Sequence, residues 1–172
     1  ISANNVTVDG FSIDTDGTTD NSVRVDGTGD SSPTGVTISG NNISAEDTVT
    51  YGINAQSNDG GSVIVTDNTI DAEYAIRLEG QTTEVSEVGN NEITAGVNGI
   101  QASGPAADIF DNTITVDGAE SGVKVTDGSD ISVTGNTISD GTTDDDSETA
   151  AVRVSETAEN TNTEISAVTI EN

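Results

Sequence analysis

Apolar residues along this chain come in short apolar–x–apolar bursts, each followed by turn-forming residues, and the bursts repeat. The stretches "VTVDGFSI" (6–13), "VTISGNNI" (36–43), "VIVTDNTI" (63–70), "SEVGNNEI" (86–93), "ADIFDNTI" (107–114) and "ISVTGNTI" (131–138) share one arrangement. An alternating triplet leads to two turn residues and then to an isoleucine, often as Asn-x-Ile. A seventh unit starts at "VTIEN" (168–172). Six to fourteen residues after each isoleucine stands a second motif: "VRV", "INA", "IRL", "IQA", "VKV" and "VRV". Alternation over a few residues is the pattern of a half-buried strand. Self-similarity at intervals of 21 to 37 residues is the pattern of a solenoid.

Each unit therefore predicts three short strands with loops of variable length at fixed corners. A three-residue strand is unstable alone and is stabilised when the equivalent strand of the next unit stacks on it at about 4.8 Å. The expected inward column of the first face is Val8, Ile38, Val65, Val88, Ile109, Val133 and Ile170. That of the second is Ile13, Ile43, Ile70, Ile93, Ile114 and Ile138, and that of the third Val23, Ile53, Ile76, Ile100, Val123 and Val152. β-branched side chains stacked on their like fill such a narrow core well. The fold class is all-β, a parallel β-helix with three strands per turn and about six to seven turns, roughly 30 Å long.

The repeat, carried by its "GNTI" and "DNTI" segments, resembles over nearly the whole chain the right-handed parallel β-helix repeat of the pectate-lyase-like superfamily, especially its NosD-like, carbohydrate-associated repeats. Right-handedness is implied by that resemblance and by the general rule for parallel crossovers. The resemblance also implies an internal ladder formed by Asn41, Asn68, Asn91, Asn112 and Asn136, with Phe11 breaking the column in the first unit. Such an asparagine caps the turn of its own unit and bonds its neighbours, satisfying groups that the bend would orphan. NosD-like proteins are associated with copper-site assembly, but this chain has no His, Met or Cys, which argues against copper.

Composition sharpens this picture. Ile, Val, Leu and Phe total 37 of 172 residues, just above the level at which a chain stays disordered. There are 18 Val and 16 Ile against one Leu, however, which favours strands. The net charge of −27 repels nucleic acid and anionic membranes. A surplus this large is of the halophilic type, because molar salt shortens the Debye length to about 3 Å and suppresses self-repulsion. No disulfide or thiolate metal site is available, and no stretch is apolar and long enough to span a bilayer. The chain starts without Met and reads as one domain, 1–172, of a longer protein whose remaining chain adjoins it at both ends. The resemblance and the halophilic composition together imply an extracellular or cell-surface location.

Only four residues are basic, and each is the middle of a third-strand triplet. Stacking gives one outward column: Arg24, Asn54, Arg77, Gln101, Lys124 and Arg153. Two readings follow. Arg24, Arg77, Lys124 and Arg153 relieve charge, with Asp26 and Glu79 two residues beyond the first two on the same face, or they form a ligand-binding strip for a polysaccharide or surface glycan, particularly an anionic one. The enzymes of the resembled superfamily act on glycans with paired carboxylates, Ca²⁺ with a basic residue, or both. The outward column Thr7, Thr37, Ile64, Glu87, Asp108, Ser132 and Thr169 makes Glu87 and Asp108 neighbours, at a separation of about 5 Å that suits an acid and a nucleophile. That position lacks the His, Arg and Trp or Tyr platforms of a glycan cleft. "DTDGTTD" places Asp14, Asp16 and Asp20 around a glycine as a candidate calcium loop without the distal bidentate Glu. No cofactor is required. Interruptions of the Thr column by Ile64, Glu87 and Asp108 exclude an ice-binding plane on the first face. The expected function is a non-catalytic rigid stalk, adhesin or carbohydrate-contacting module, with a polysaccharide lyase or glycoside hydrolase as the alternative.

Overall fold

A computed structural model describes residues 1–15, 20–27, 33–45, 51–57, 61–80, 85–104, 106–117, 120–126, 130–141, 150–155, 163–165 and 169–171. The first face stacks β1 (Thr7–Asp9), β4 (Val36–Ser39), β7 (Val63–Thr66), β9 (Ser86–Gly89), β11 (Ala107–Phe110), β14 (Ile131–Thr134) and β17 (Thr163–Ile165) in that order. The second stacks β2 (Ser12–Thr15), β5 (Asn42–Ala45), the first halves of β8 (Thr69–Gly80) and β10 (Glu92–Ser103), then β12 (Thr113–Val116), β15 (Thr137–Asp140) and β18 (Thr169–Glu171). The third stacks β3 (Asn21–Asp26), β6 (Tyr51–Ser57), the second halves of β8 and β10, β13 (Ser121–Thr126) and β16 (Ala150–Ser155). All of these pairings are parallel, and no described residue is helical, so the chain is the expected all-β solenoid of stacked parallel strands. In two rungs the expected turn between second and third strands is absent. Ile76 follows Ile70 by only six positions and Ile100 follows Ile93 by seven, so β8 and β10 bend through the corner as single strands.

Register follows the expected columns. Val8 pairs with Ile38, Ile43 with Ile70, and Ile76 with Ile100. From Ile38, Ile43 and Ile53 through Val133, Ile138 and Val123 these side chains are buried and form one continuous core. The last rung departs from expectation. Val133 pairs with Ile165, whereas Ile170 pairs with Ile138, so Ile170 belongs to the second face and Thr169 does not continue the Thr7–Ser132 column. Glu164 takes that position instead. An apolar–x–apolar triplet looks alike on either face, and "VTI" has the same pattern as the first-face triplets.

The six first-to-second strand turns among the described residues each pass through one residue in the left-handed region. Gly10, Gly40, Asp67, Asn90, Asp111 and Gly135 have φ of 73°, 62°, 58°, 54°, 52° and 69°. Glycine, and to a lesser extent Asn and Asp, occupy this region most readily. The asparagine after that residue enters the ladder. Asn91 Oδ1 accepts from the backbone N and Nδ2 of Asn68, both at 3.0 Å, and Asn91 Nδ2 donates to Val65 O at 3.0 Å and to Asn112 Oδ1 at 2.9 Å. The same links run from Asn41 to Asn136, all buried. At the first rung the backbone N of Phe11 donates to Asn41 Oδ1, and the ring lies 58% exposed.

Candidate functional site

Alternation within the third strands turns Val23, Ile53, Ile76, Ile100 and Val123 inward and Arg24, Asn54, Arg77, Gln101 and Lys124 outward in register. Arg153 continues that column, paired with Lys124, and is exposed. The expected charge relief is present: Arg24 Nη2 lies 3.2 Å from Asp26 Oδ2, and Arg77 Nη2 lies 2.6 Å from Glu79 Oε2. Lys124 follows another route, since position 126 is threonine. Its Nζ reaches back across the corner to Glu120 Oε2 at 3.0 Å. The hydrogen bond from Lys124 is the main reason the Glu120 carboxyl is held below its ordinary range. Partial burial works against it, and the charge of Lys124, the Asn98 amide and the charge of Arg153 add to the lowering.

A second column in register was not anticipated. Three residues before each basic-column position, Asn21, Tyr51, Tyr74, Asn98 and Ser121 stand in register. The chain has two tyrosines, and both are here, with ring centroids 5.1 Å apart and planes inclined by 33°. The Arg77 guanidinium carbon lies 5.2 Å from the Tyr51 centroid, and Arg77 Nη1 donates to Tyr51 Oη at 3.5 Å. This is the geometry of a cation–π contact. The sequence signal was available in "YGIN" and "YAIR", one unit apart, each with the tyrosine two residues before the inward isoleucine. A bulge between Ala95 and Asn98 absorbs one extra residue and places Asn98 beside Tyr74. Next to this column the backbones approach closely. A methyl on Gly99 would lie 2.5 Å from Gly122 O and 2.6 Å from Ile114 Cγ2, so this corner position requires a small residue.

Polar atoms on this face are incompletely satisfied. Asn54, Asn98 and Ser121 are 4%, 2% and 0% exposed. Among the described residues, the buried side-chain atoms without a hydrogen-bond partner are Asn54 Oδ1, Arg77 Nε, Asn98 Oδ1 and Ser121 Oγ. All four belong to these two columns, where Asn54 is the register partner of Arg77 and Asn98 that of Ser121. Burying such a group unpaired costs about 1–3 kcal/mol. The two half-buried rings and the guanidinium can stack and donate hydrogen bonds, whereas the unpaired amide and hydroxyl atoms are buried.

On the first face Glu87 and Asp108 are register partners, as expected, and both are exposed. An aromatic ring does stand near them. Phe110, two residues after Asp108 and on the same outward side, lies over the space that a side chain at Gly89 would fill. Asp14 and Asp20 are exposed at the end of β2 and the approach to β3, whereas Asp16 lies outside the described residues. Among the described residues no three His, Cys, Asp or Glu side chains are placed to hold a metal ion. Among the described residues no helix is long and apolar enough to cross a membrane. Comparison with known proteins returned no matching family model, curated protein or solved structure.

Proposed function

We propose that this solenoid is a non-catalytic segment of a secreted or surface-anchored halophilic protein, a rigid rod that contacts carbohydrate through its third face. The observation that carries this reading is the Tyr51–Tyr74 pair beside Arg77 on the outward side of adjacent rungs. Aromatic faces pack against the apolar face of a sugar ring, and neighbouring amides and guanidinium orient its hydroxyls. A parallel stack with one continuous β-branched core supplies a stiff support. The finer likeness, to pectate-lyase-like and NosD-like repeats, points to the same class of ligand.

A binding and turnover screen in molar NaCl and KCl, with and without Ca²⁺, tests the reading. Polygalacturonate, alginate, hyaluronan and neutral glycans are each followed by retention and by release of new sugar ends. Retention without turnover, lost in Tyr51→Ala and Tyr74→Ala, is the expected result. The pairing of Glu87 with Asp108 near Phe110 favours a second reading, that of a polysaccharide lyase or glycoside hydrolase. New sugar ends that disappear in Glu87→Gln or Asp108→Asn establish it.

A further inference from the structure

We infer that the third face takes a neutral, hydroxyl-rich sugar chain and discriminates against uronates. This rests on the carbohydrate-contacting reading above and narrows it to a ligand class. The cations come first. Arg24, Arg77 and Lys124 each face a carboxylate at 3.2, 2.6 and 3.0 Å. Glu79 is further engaged by Gln56 Nε2 at 2.9 Å. Positive charge at three of the four cations of the strip is therefore matched locally, within a chain whose net charge is −27. An approaching carboxylate meets Glu79 and Glu120 together with the cations they pair, and gains little net attraction.

The unpartnered atoms point the same way. Asn54 Nδ2 is committed to Asn21 Oδ1, and the Asn98 amide supports the ionised form of Glu120. The Asn54 amide nitrogen thus has a partner, and Asn54 Oδ1 and Asn98 Oδ1 are buried acceptors without one. The unpartnered set is two acceptors, Asn54 Oδ1 and Asn98 Oδ1, one donor, Arg77 Nε, and Ser121 Oγ, which can do either; all four atoms are buried, so a ligand reaches them only by displacing the side chains that cover them. A carboxylate only accepts and would satisfy Arg77 Nε and Ser121 Oγ while facing two carbonyl oxygens. A sugar hydroxyl both donates and accepts, so a run of hydroxyls matches the whole set. The tyrosine rings add an uncharged platform one rung long.

The experiment compares maltoheptaose, cellohexaose and mannohexaose with trigalacturonate, an alginate oligomer and a hyaluronan oligomer by calorimetry, over a salt series reaching molar NaCl. At least one neutral probe should bind at least tenfold more tightly than every acidic one, with an affinity flat across the series. Tyr51→Ala or Tyr74→Ala should weaken it about tenfold, the worth of one aromatic contact. Should either alanine variant fail to fold, the exposed substitution Glu79→Gln provides an independent arm. Freeing Arg77 from its carboxylate should raise trigalacturonate affinity several-fold and introduce salt dependence. Unchanged uronate affinity in that variant refutes the charge-matching argument. Acidic probes binding the unaltered chain as tightly as neutral ones overturn the neutral-sugar inference and leave the carbohydrate-contacting reading standing. Silence from all six probes overturns both.

Discussion

Replacing Asn91 with alanine breaks the ladder at its centre, and the structure fixes what is lost. Asn91 Oδ1 receives Asn68 N and Asn68 Nδ2, and Asn91 Nδ2 serves Val65 O and Asn112 Oδ1. In the variant the Asn68 N–H is buried without a partner, while Asn68 Nδ2 keeps Ile38 O and Thr66 O. Val65 O loses its side-chain donor. One orphaned buried donor, one weakened carbonyl and the lost side-chain link sum to about 3–5 kcal/mol. Asn41 provides the internal control. Its Oδ1 accepts from Phe11 N, with no asparagine side chain below it, at a rung whose Phe11 ring is exposed to water. Asn41→Ala should therefore lose only about 1–2 kcal/mol. Urea unfolding in molar salt gives the global values by linear extrapolation. Native-state hydrogen exchange at the Asn68 amide reads the local effect, which matters because a solenoid is stabilised rung by rung and can open in parts. A loss below about 1 kcal/mol for Asn91→Ala, or one no larger than that of Asn41→Ala, refutes the view that the ladder carries buried, otherwise unsatisfied backbone.

Other outcomes follow from the same geometry. Gly99→Ala places a methyl 2.5 Å from Gly122 O and should lower stability by about 1–3 kcal/mol, measured by thermal unfolding, and an unchanged midpoint would show that the corner relaxes freely. Glu120 has its folded pKa lowered from 4.5, so its contribution is present above that value and is lost as pH falls through the lower folded pKa. Because the pair is partly exposed, Lys124→Met should change stability at neutral pH by less than about 1 kcal/mol, while carboxyl NMR titration shows Glu120 returning upward toward 4.5. With a net charge of −27, the unfolding midpoint should rise steeply from low to molar NaCl as repulsion is screened, and a flat salt response would remove the halophilic reading.

How much of this was legible in the sequence depended on what phases each triplet. The core columns could be read because Ile and Val recur at inward positions with a turn between them that contains Gly, Asp or Asn. The column from Arg24 to Arg153 could be read because alternation fixes the middle of a triplet outward. The last rung could not, since Ser166–Val168 carry neither the left-handed turn residue nor the ladder asparagine. Without that marker nothing in "VTIEN" tells the second face from the first. The tyrosines were missed for a related reason. They stand two residues before the triplet, at the corner, where alternation fails and the bulge at Asn98 shows that residue count alone does not fix direction. The charge relief at Lys124 was half legible, because a partner across the corner is not two residues along the strand.

The position of the tyrosines within the solenoid carries one more consequence. Between the inward residues of the second and third faces, the chain spends nine to fourteen residues in most rungs but six and seven in the rungs of β8 and β10. Those two rungs need no loop to turn the corner, so their strands run for 12 residues each. They pair with each other across the bend, and with β5, β6, β12 and β13 on their outer sides. Backbone hydrogen bonding is therefore nearly unbroken through that corner, where local opening requires the loss of two faces at once. Tyr74, Arg77 and Asn98 belong to this pair of strands, and Tyr51 is held to it by register with Tyr74. Recognition by stacking and directional hydrogen bonds demands placement within a fraction of an ångström. The short corners thus do two things: they leave the aromatic column free of inserted loop in those rungs, and they set it on the part of the solenoid that has least freedom to move.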